Sequence, residues 1–132
     1  MDEVTFDFGG IVYLSDGTYE PDDDPEADDA VQHSIPHADQ VVNERAVISV
    51  SITYPLTRST VMTVTSKVGH FTRQGLVNAF VKAYEDIYDA EAAVTTDPDD
   101  KPYGIWGHDL DDLILEGLHR DEQGIWHPEV AS

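Results

Sequence analysis

The feature that most constrains this chain is a long amphipathic helix predicted over residues 72–92. Its apolar side chains recur at helical spacing and share one face: Leu76, Phe80, Ala83 and Ile87 along the centre, with Val77, Tyr84 and Tyr88 beside them. A stripe this broad is typical of a helix packed on a sheet and not of a coiled coil. Thr72 is the expected N-cap, because its hydroxyl can accept a hydrogen bond from an unpaired backbone N–H.

The remaining periodic segments alternate apolar and polar residues, which predicts β-strands. Residues 3–8 and 11–14 are predicted to form a hairpin with Gly9 and Gly10 as its turn. The segments 41–54 and 60–68 are rich in β-branched residues, and the short link between them favours antiparallel pairing.

The C-terminal region is predicted to form one helical turn followed by a hairpin. Asp109 is a good N-cap for the turn, and the hairpin uses residues 113–120 and 125–130. Pro128 is expected on an edge strand, because proline has no N–H to donate to a neighbouring strand.

These elements predict an α+β fold: an antiparallel sheet of about five to six strands with one long helix, about residues 72–92, packed across one face. The length of 132 residues fits a single acidic domain, 1–132. Residues 19–40 combine prolines with a run of like charges, so we expect a flexible acidic loop there.

Charge is the strongest compositional signal. The chain has 27 acidic residues against 7 basic ones, a formal net charge of −20. Self-repulsion of this size opposes compaction in dilute buffer. At about 1 M salt the screening length falls to about 3 Å, which removes most of that repulsion. The composition resembles that of salt-adapted proteins from halophilic microbes or their viruses.

Two other interpretations of the acidity remain open: a DNA mimic that inhibits a DNA-binding protein, and an ordinary acidic cytosolic protein. All three argue against direct nucleic-acid binding, which needs a basic surface. The chain has no cysteine, no apolar run of the ~20 residues that cross a bilayer, and no signal-peptide pattern. We therefore expect a cytoplasmic or virion-associated protein without a membrane partner.

The best candidate for chemistry is the turn that contains His108, Asp109 and Asp112. One imidazole and nearby carboxylates could bind a divalent metal or supply a general base, as a metal-dependent enzyme would require. An acidic first turn of a helix explains Asp109 and Asp112 without any function, and we favour that interpretation. No cofactor is predicted beyond weak association of divalent cations.

The candidate contact surface is an interaction patch made of Tyr103, Trp106, Asp111 and Trp126. Exposed aromatic residues would mark a protein interface, although large aromatics in a small domain more often belong to the core. His119 and His127 are predicted to face each other across the C-terminal hairpin.

The sequence contains no nucleophile elbow, phosphate-binding loop or paired metal-binding histidines on a helix. We therefore expect a non-catalytic protein–protein interaction or accessory module more than an enzyme. Its partner would be another protein or a second copy of the chain.

Overall fold

The structure is a computed structural model that describes residues 3–21, 35–93, 103–105 and 109–132. Its regular elements are β1 Val4–Tyr13, β2 Tyr19–Pro21, β3 Val41–Asn43, β4 Val47–Ile52, β5 Thr60–Thr65, β6 Phe71–Thr72, α1 Arg73–Ala92, a 3₁₀ turn Leu110–Asp112, β7 Ile114–Arg120 and β8 Ile125–Ala131. No helix in these described ranges is long and apolar enough to cross a membrane.

Six strands form one sheet in the order β2-β1-β7-β8-β4-β5, and β3 pairs with β6 in a separate ribbon. Every neighbouring pair in the large sheet is antiparallel except β4 and β8. Helix α1 buries its apolar stripe against the sheet. The predicted α+β fold is therefore confirmed, as are the antiparallel β4–β5 pair and the C-terminal hairpin of β7 and β8.

The predicted hairpin turn at Gly9 and Gly10 is wrong, because β1 runs through both glycines without reversing. Gly9 has a φ of +59°, and the pairing of β1 with β7 shifts register between Asp7 and Val12. The glycines therefore form an irregular step inside one strand. At Gly10 the backbone of Glu20 and Pro21 on β2 approaches so closely that a Cβ atom would clash with it.

The core lies between α1 and the sheet and centres on aromatic side chains. Trp126 and Phe8 have no exposed surface, and Phe6 packs edge-on against both rings. At the start of α1, the Thr72 hydroxyl accepts a 3.0 Å hydrogen bond from the Gly75 N–H, as predicted for the N-cap. The cationic Arg73 beside this cap lies 4.4 Å from the centre of the Phe6 ring, which gives its charge a cation–π contact.

Two local expectations need correction. Within residues 19–40, Tyr19–Pro21 form strand β2 on β1 and Ile35 is buried, while residues 22–34 lie outside the described ranges. Pro128 is on β8, an interior strand and not an edge strand. The strand tolerates proline because β8 pairs with β4 only at Ile125 and Trp126, before Pro128 is reached.

Candidate functional site

The C-terminal end of α1 lies against the segment 103–105, which contains Tyr103 of the predicted interaction patch. The segment 103–105 lies beside the loop after β4: Leu56 and Ile105 form a bridge, and the Arg58 N–H donates to the Tyr103 carbonyl at 3.0 Å. The Thr57 N–H and hydroxyl both donate to the Gly104 carbonyl, at 2.9 and 2.7 Å. The backbone here is held from two sides, since α1 contacts the same segment.

Glu91 makes that contact from the last turn of α1. Its carboxylate oxygens accept hydrogen bonds from the backbone N–H groups of Tyr103 at 3.1 Å and Ile105 at 2.9 Å. The residue is 5% exposed, so these bonds operate away from bulk water. A buried carboxylate is costly unless it is hydrogen-bonded, and backbone amides supply that compensation here.

The acidic turn after this segment is held by its own backbone. The Asp109 N–H donates to the Asp112 carboxylate at 3.2 Å, and the Asp112 N–H donates to the Asp109 carbonyl at 3.0 Å. This arrangement resembles the capping box of a helix N-terminus. It gives Asp112 a structural partner in the backbone of the turn.

Tyr88 on α1 is close to both of these carboxylates. Burial, and then the nearby negative charges of Asp109 and Asp112, raise the pKa of the Tyr88 phenol to about 12. One turn earlier, burial raises the pKa of Tyr84, whose hydroxyl donates to the Tyr54 carbonyl at 2.8 Å. Both phenols therefore stay neutral at physiological pH.

The structure separates the residues of the predicted interaction patch. Trp126 is in the core with no exposed surface, so it cannot contact a partner of the folded chain, and its place in the patch is withdrawn. Tyr103 is half-buried beside Glu91, and Asp111 is exposed in the 3₁₀ turn. Trp106 lies outside the described residues.

The predicted metal site is only partly described, because His108 also lies outside the described ranges. Asp109 and Asp112 are exposed and bonded as above. Across residues 3–21, 35–93, 103–105 and 109–132 there is no group of three or more His, Asp or Glu side chains placed to hold a metal.

A second polar cluster lies on the sheet face opposite α1. His119 and His127 are directly paired across β7 and β8, with ring centres 6.1 Å apart, so the predicted juxtaposition is confirmed. His119 Nδ1 is 2.7 Å from the Thr5 hydroxyl, and His127 Nε2 is 2.8 Å from the Asp121 carboxylate. Asp121 also accepts from the Gln123 and Ile125 N–H groups, so this cluster ties the hairpin turn together.

Glu91 is the residue that sequence reasoning missed. Its charge places it among the acidic residues near the end of α1, yet its position is four residues after Ile87 and therefore continues the apolar stripe. An acid on the buried face of a helix indicates a structural or functional partner, and that signal was available in the sequence.

Comparison with known proteins gives no relative to argue from: no protein-family model, curated protein or solved structure matches the chain.

Proposed function

We propose that this chain is a non-catalytic protein–protein interaction or accessory module of a salt-adapted, halophilic-type cell or virus. The observation that carries the proposal is the acidity of its surface. All described Asp and Glu residues are exposed except Glu91, which is buried, and Asp121, which is half-buried. An acidic coat of this kind remains soluble at high salt, where a neutral surface would tend to associate.

The ion pairs of Lys82 offset little of this charge. Lys82 contacts Asp86 at 3.0 Å and Glu85 at 4.0 Å on the solvent face of α1, and both pairs are exposed. Exposed pairs of this kind contribute about 0–1 kcal/mol each. Screening by dissolved salt is therefore the main way to reduce the repulsion between carboxylates.

Salt adaptation is tested by thermal melting in KCl from dilute buffer into the molar range. The melting temperature should rise steeply as the screening length shrinks from about 10 Å at 0.1 M to about 3 Å at 1 M. Sodium glutamate at matched ionic strength controls for an effect specific to chloride. A melting temperature independent of salt would contradict this part of the proposal.

The contact surface that we propose is centred on Tyr103 and Asp111, close to the acidic turn. The Tyr103 backbone is held by Glu91, and Asp111 is exposed in the 3₁₀ turn that follows along the chain. Aromatic residues are enriched in protein interfaces, and polar and charged residues are common at their rims. The partner would present basic or polar groups to this surface.

The test is a quantitative pull-down from the native host at its own salt concentration, with Asp111→Lys compared against Glu122→Lys. The two substitutions make the same charge change at exposed positions, and Glu122 lies in the turn of the C-terminal hairpin, away from Tyr103. A specific partner should be retained by Glu122→Lys and lost by Asp111→Lys. Equal retention by both variants would remove the contact surface from the proposal.

The purified chain and its captured partner also test the two alternative functions, a metal-dependent enzyme and a DNA mimic. For a metal-dependent enzyme using His108, Asp109 and Asp112, divalent-metal titration followed by tryptophan fluorescence should saturate, and His108→Ala should abolish the change. For a DNA mimic, the captured protein should bind DNA, and duplex DNA should displace it. Either outcome would replace the proposed function.

A further inference from the structure

Strand β5 is the long outer edge of the sheet. In the part of the chain that the structure describes, only β4 pairs with it. Its side chains at Val61, Thr63 and Thr65 are exposed on the face away from α1, with Val61 58% exposed, while Met62 and Val64 pack against the core. Within the described ranges, one side of its backbone is therefore open to another strand.

The hydrogen-bond pattern identifies the backbone groups on that open side. The Ser66 N–H donates to the Ala46 carbonyl at 2.6 Å, and in an antiparallel pair the hydrogen-bonded positions alternate with positions that face away. Counting back from Ser66, the residues bonded to β4 are those at 64, 62 and 60. The N–H and C=O groups of Val61, Thr63 and Thr65 consequently point outward from the sheet.

The amino-acid composition of β5 and its flanking residues differs from that of the rest of the chain. Residues 59–66 contain no charged side chain and no proline, although 26% of the whole sequence is charged. The opposite edge of the sheet is protected: β2 has only three residues, and these include Glu20 and Pro21. Shortness, charge and proline are the usual means by which proteins block strand addition, and β5 has none of them.

We propose that β5 pairs with β5 of a second copy of this chain in an antiparallel, two-fold symmetric arrangement that joins the two sheets. The largest overlap of outward backbone groups places the two-fold axis at Thr63. Thr63 then faces Thr63 of the second copy, and Val61 faces Thr65 at each end. About six backbone hydrogen bonds would form across the join.

The occupant is a second copy because the edge is self-complementary in this register. With Thr63 on the axis, Lys67 lies opposite Ser59 of the second copy, so no charged side chain faces a like charge across the strands. The same strand is used on both copies, so each copy has used its only long open edge among the described residues once the pair has formed. The assembly therefore stops at two copies.

The rest of the surface makes this association dependent on salt. Each copy carries a net charge of −20, so two copies repel in dilute buffer and approach freely once that charge is screened. A contact limited to one six-residue strand is smaller than the ~1,200 Å² at the lower bound of stable interfaces. We therefore expect a weak dimer that is promoted by molar KCl.

Sedimentation equilibrium of the full chain tests the dimer over a range of concentrations in dilute buffer and in about 1 M KCl. Thr63→Lys places like charges together on the axis and should weaken dimerisation at least ~tenfold. Gln123→Lys, an exposed residue in the hairpin turn, is the control with the same charge change and should dimerise like wild type. A chain that is monomeric at every salt and concentration overturns the proposal.

Single cysteines test the register, since the native chain has none. In Thr63→Cys the two Cα atoms would be about 5.5 Å apart, within the roughly 4.4–6.8 Å range of disulfides. In Val61→Cys they would be offset by four residues, or ~13 Å along the strand. Mild oxidation in molar KCl should crosslink the first variant and leave the second uncrosslinked, with both folded by circular dichroism. Equal crosslinking of both, or of neither, contradicts this register.

Discussion

The Glu91 carboxylate on α1 accepts a 2.9 Å hydrogen bond from the backbone N–H of Ile105. This bond joins the end of the helix to a segment that also bridges to Leu56 in the loop after β4. The helix, the sheet and the 103–105 segment are therefore connected through one buried acid. The half-buried Tyr103, on which the proposed contact surface is centred, is held by the same side chain.

Replacing Glu91 with Gln should destabilise the fold by about 1–3 kcal/mol, because the amide nitrogen that replaces one carboxylate oxygen cannot accept a hydrogen bond and leaves one of the two backbone N–H groups without an acceptor. Urea unfolding gives the free energy directly. Glu122→Gln removes the same charge at an exposed position and should change stability by less than about 0.5 kcal/mol. Similar losses in the two variants would mean that the Glu91 hydrogen bonds have little effect on stability.

The Tyr88 phenol should ionise at a higher pH than the phenol of an unfolded tyrosine. Its folded pKa is raised to about 12, whereas an unfolded tyrosine titrates near ~10. The folded state favours the neutral phenol, so the stabilising contribution is complete below pH ~10 and is lost as the pH rises towards 12. Phenolate absorbance, compared between wild type and Tyr88→Phe, isolates this group.

The same titration also tests whether burial or the nearby carboxylates contribute more to the raised pKa of Tyr88. Because burial contributes more than the neighbouring charges, Asp109→Asn should lower the pKa of Tyr88 by only part of the total shift. A Tyr88 phenol that ionises near pH ~10, as an unfolded tyrosine does, would show that the residue is not buried in solution.

The turn of the C-terminal hairpin should resist acid. The hydrogen bond from His127, followed by the Ile125 N–H, holds the pKa of the Asp121 carboxyl below its ordinary value. A depressed folded pKa stabilises the protein above the unfolded value, and this contribution is lost as the pH falls through the folded pKa. His127→Gln should therefore raise the Asp121 pKa, as followed by carboxyl NMR titration; an unchanged value would show that the backbone donors alone set it.

Gly10→Ala should detach β2 from β1. The added Cβ would meet the Glu20 and Pro21 backbone, with the Pro21 Cα at 2.8 Å, and overpacking of this kind costs about 1–3 kcal/mol. Faster amide exchange at Glu20, which is paired with Ile11, together with a lower unfolding free energy, would report the detachment. Ser15→Ala, at an exposed position after β1, is the matched control and should leave both measurements unchanged.

The sequence correctly predicts those helices and strands whose patterns come from residues close together in the chain. The stripe through Leu76 and Ile87 defined α1, and Thr72 capped it as predicted because a cap depends on residues within one turn. The link of a few residues between β4 and β5 was enough to predict their pairing, and the C-terminal hairpin followed from the same kind of evidence. The acidity of the surface is a property of composition alone.

Local signals failed where the outcome depended on distant backbone. Gly9 and Gly10 suggested a turn, but pairing with both β2 and β7 kept β1 extended through them. Trp126 was assigned to a contact surface, and Phe6 from the other end of the chain covers it instead. In each case the deciding neighbour is remote in sequence, so the pattern around the residue does not contain it.

The sequence by itself determined that this chain forms one amphipathic helix over a sheet and carries a strongly acidic surface, because periodicity and composition are read residue by residue. Only the tertiary structure decided the strand order, which places β5 at the edge of the six-stranded sheet and buries Glu91 beneath residues 103–105. Strand order and burial depend on contacts between segments far apart in the chain, and the free energy of those contacts is not contained in any one segment.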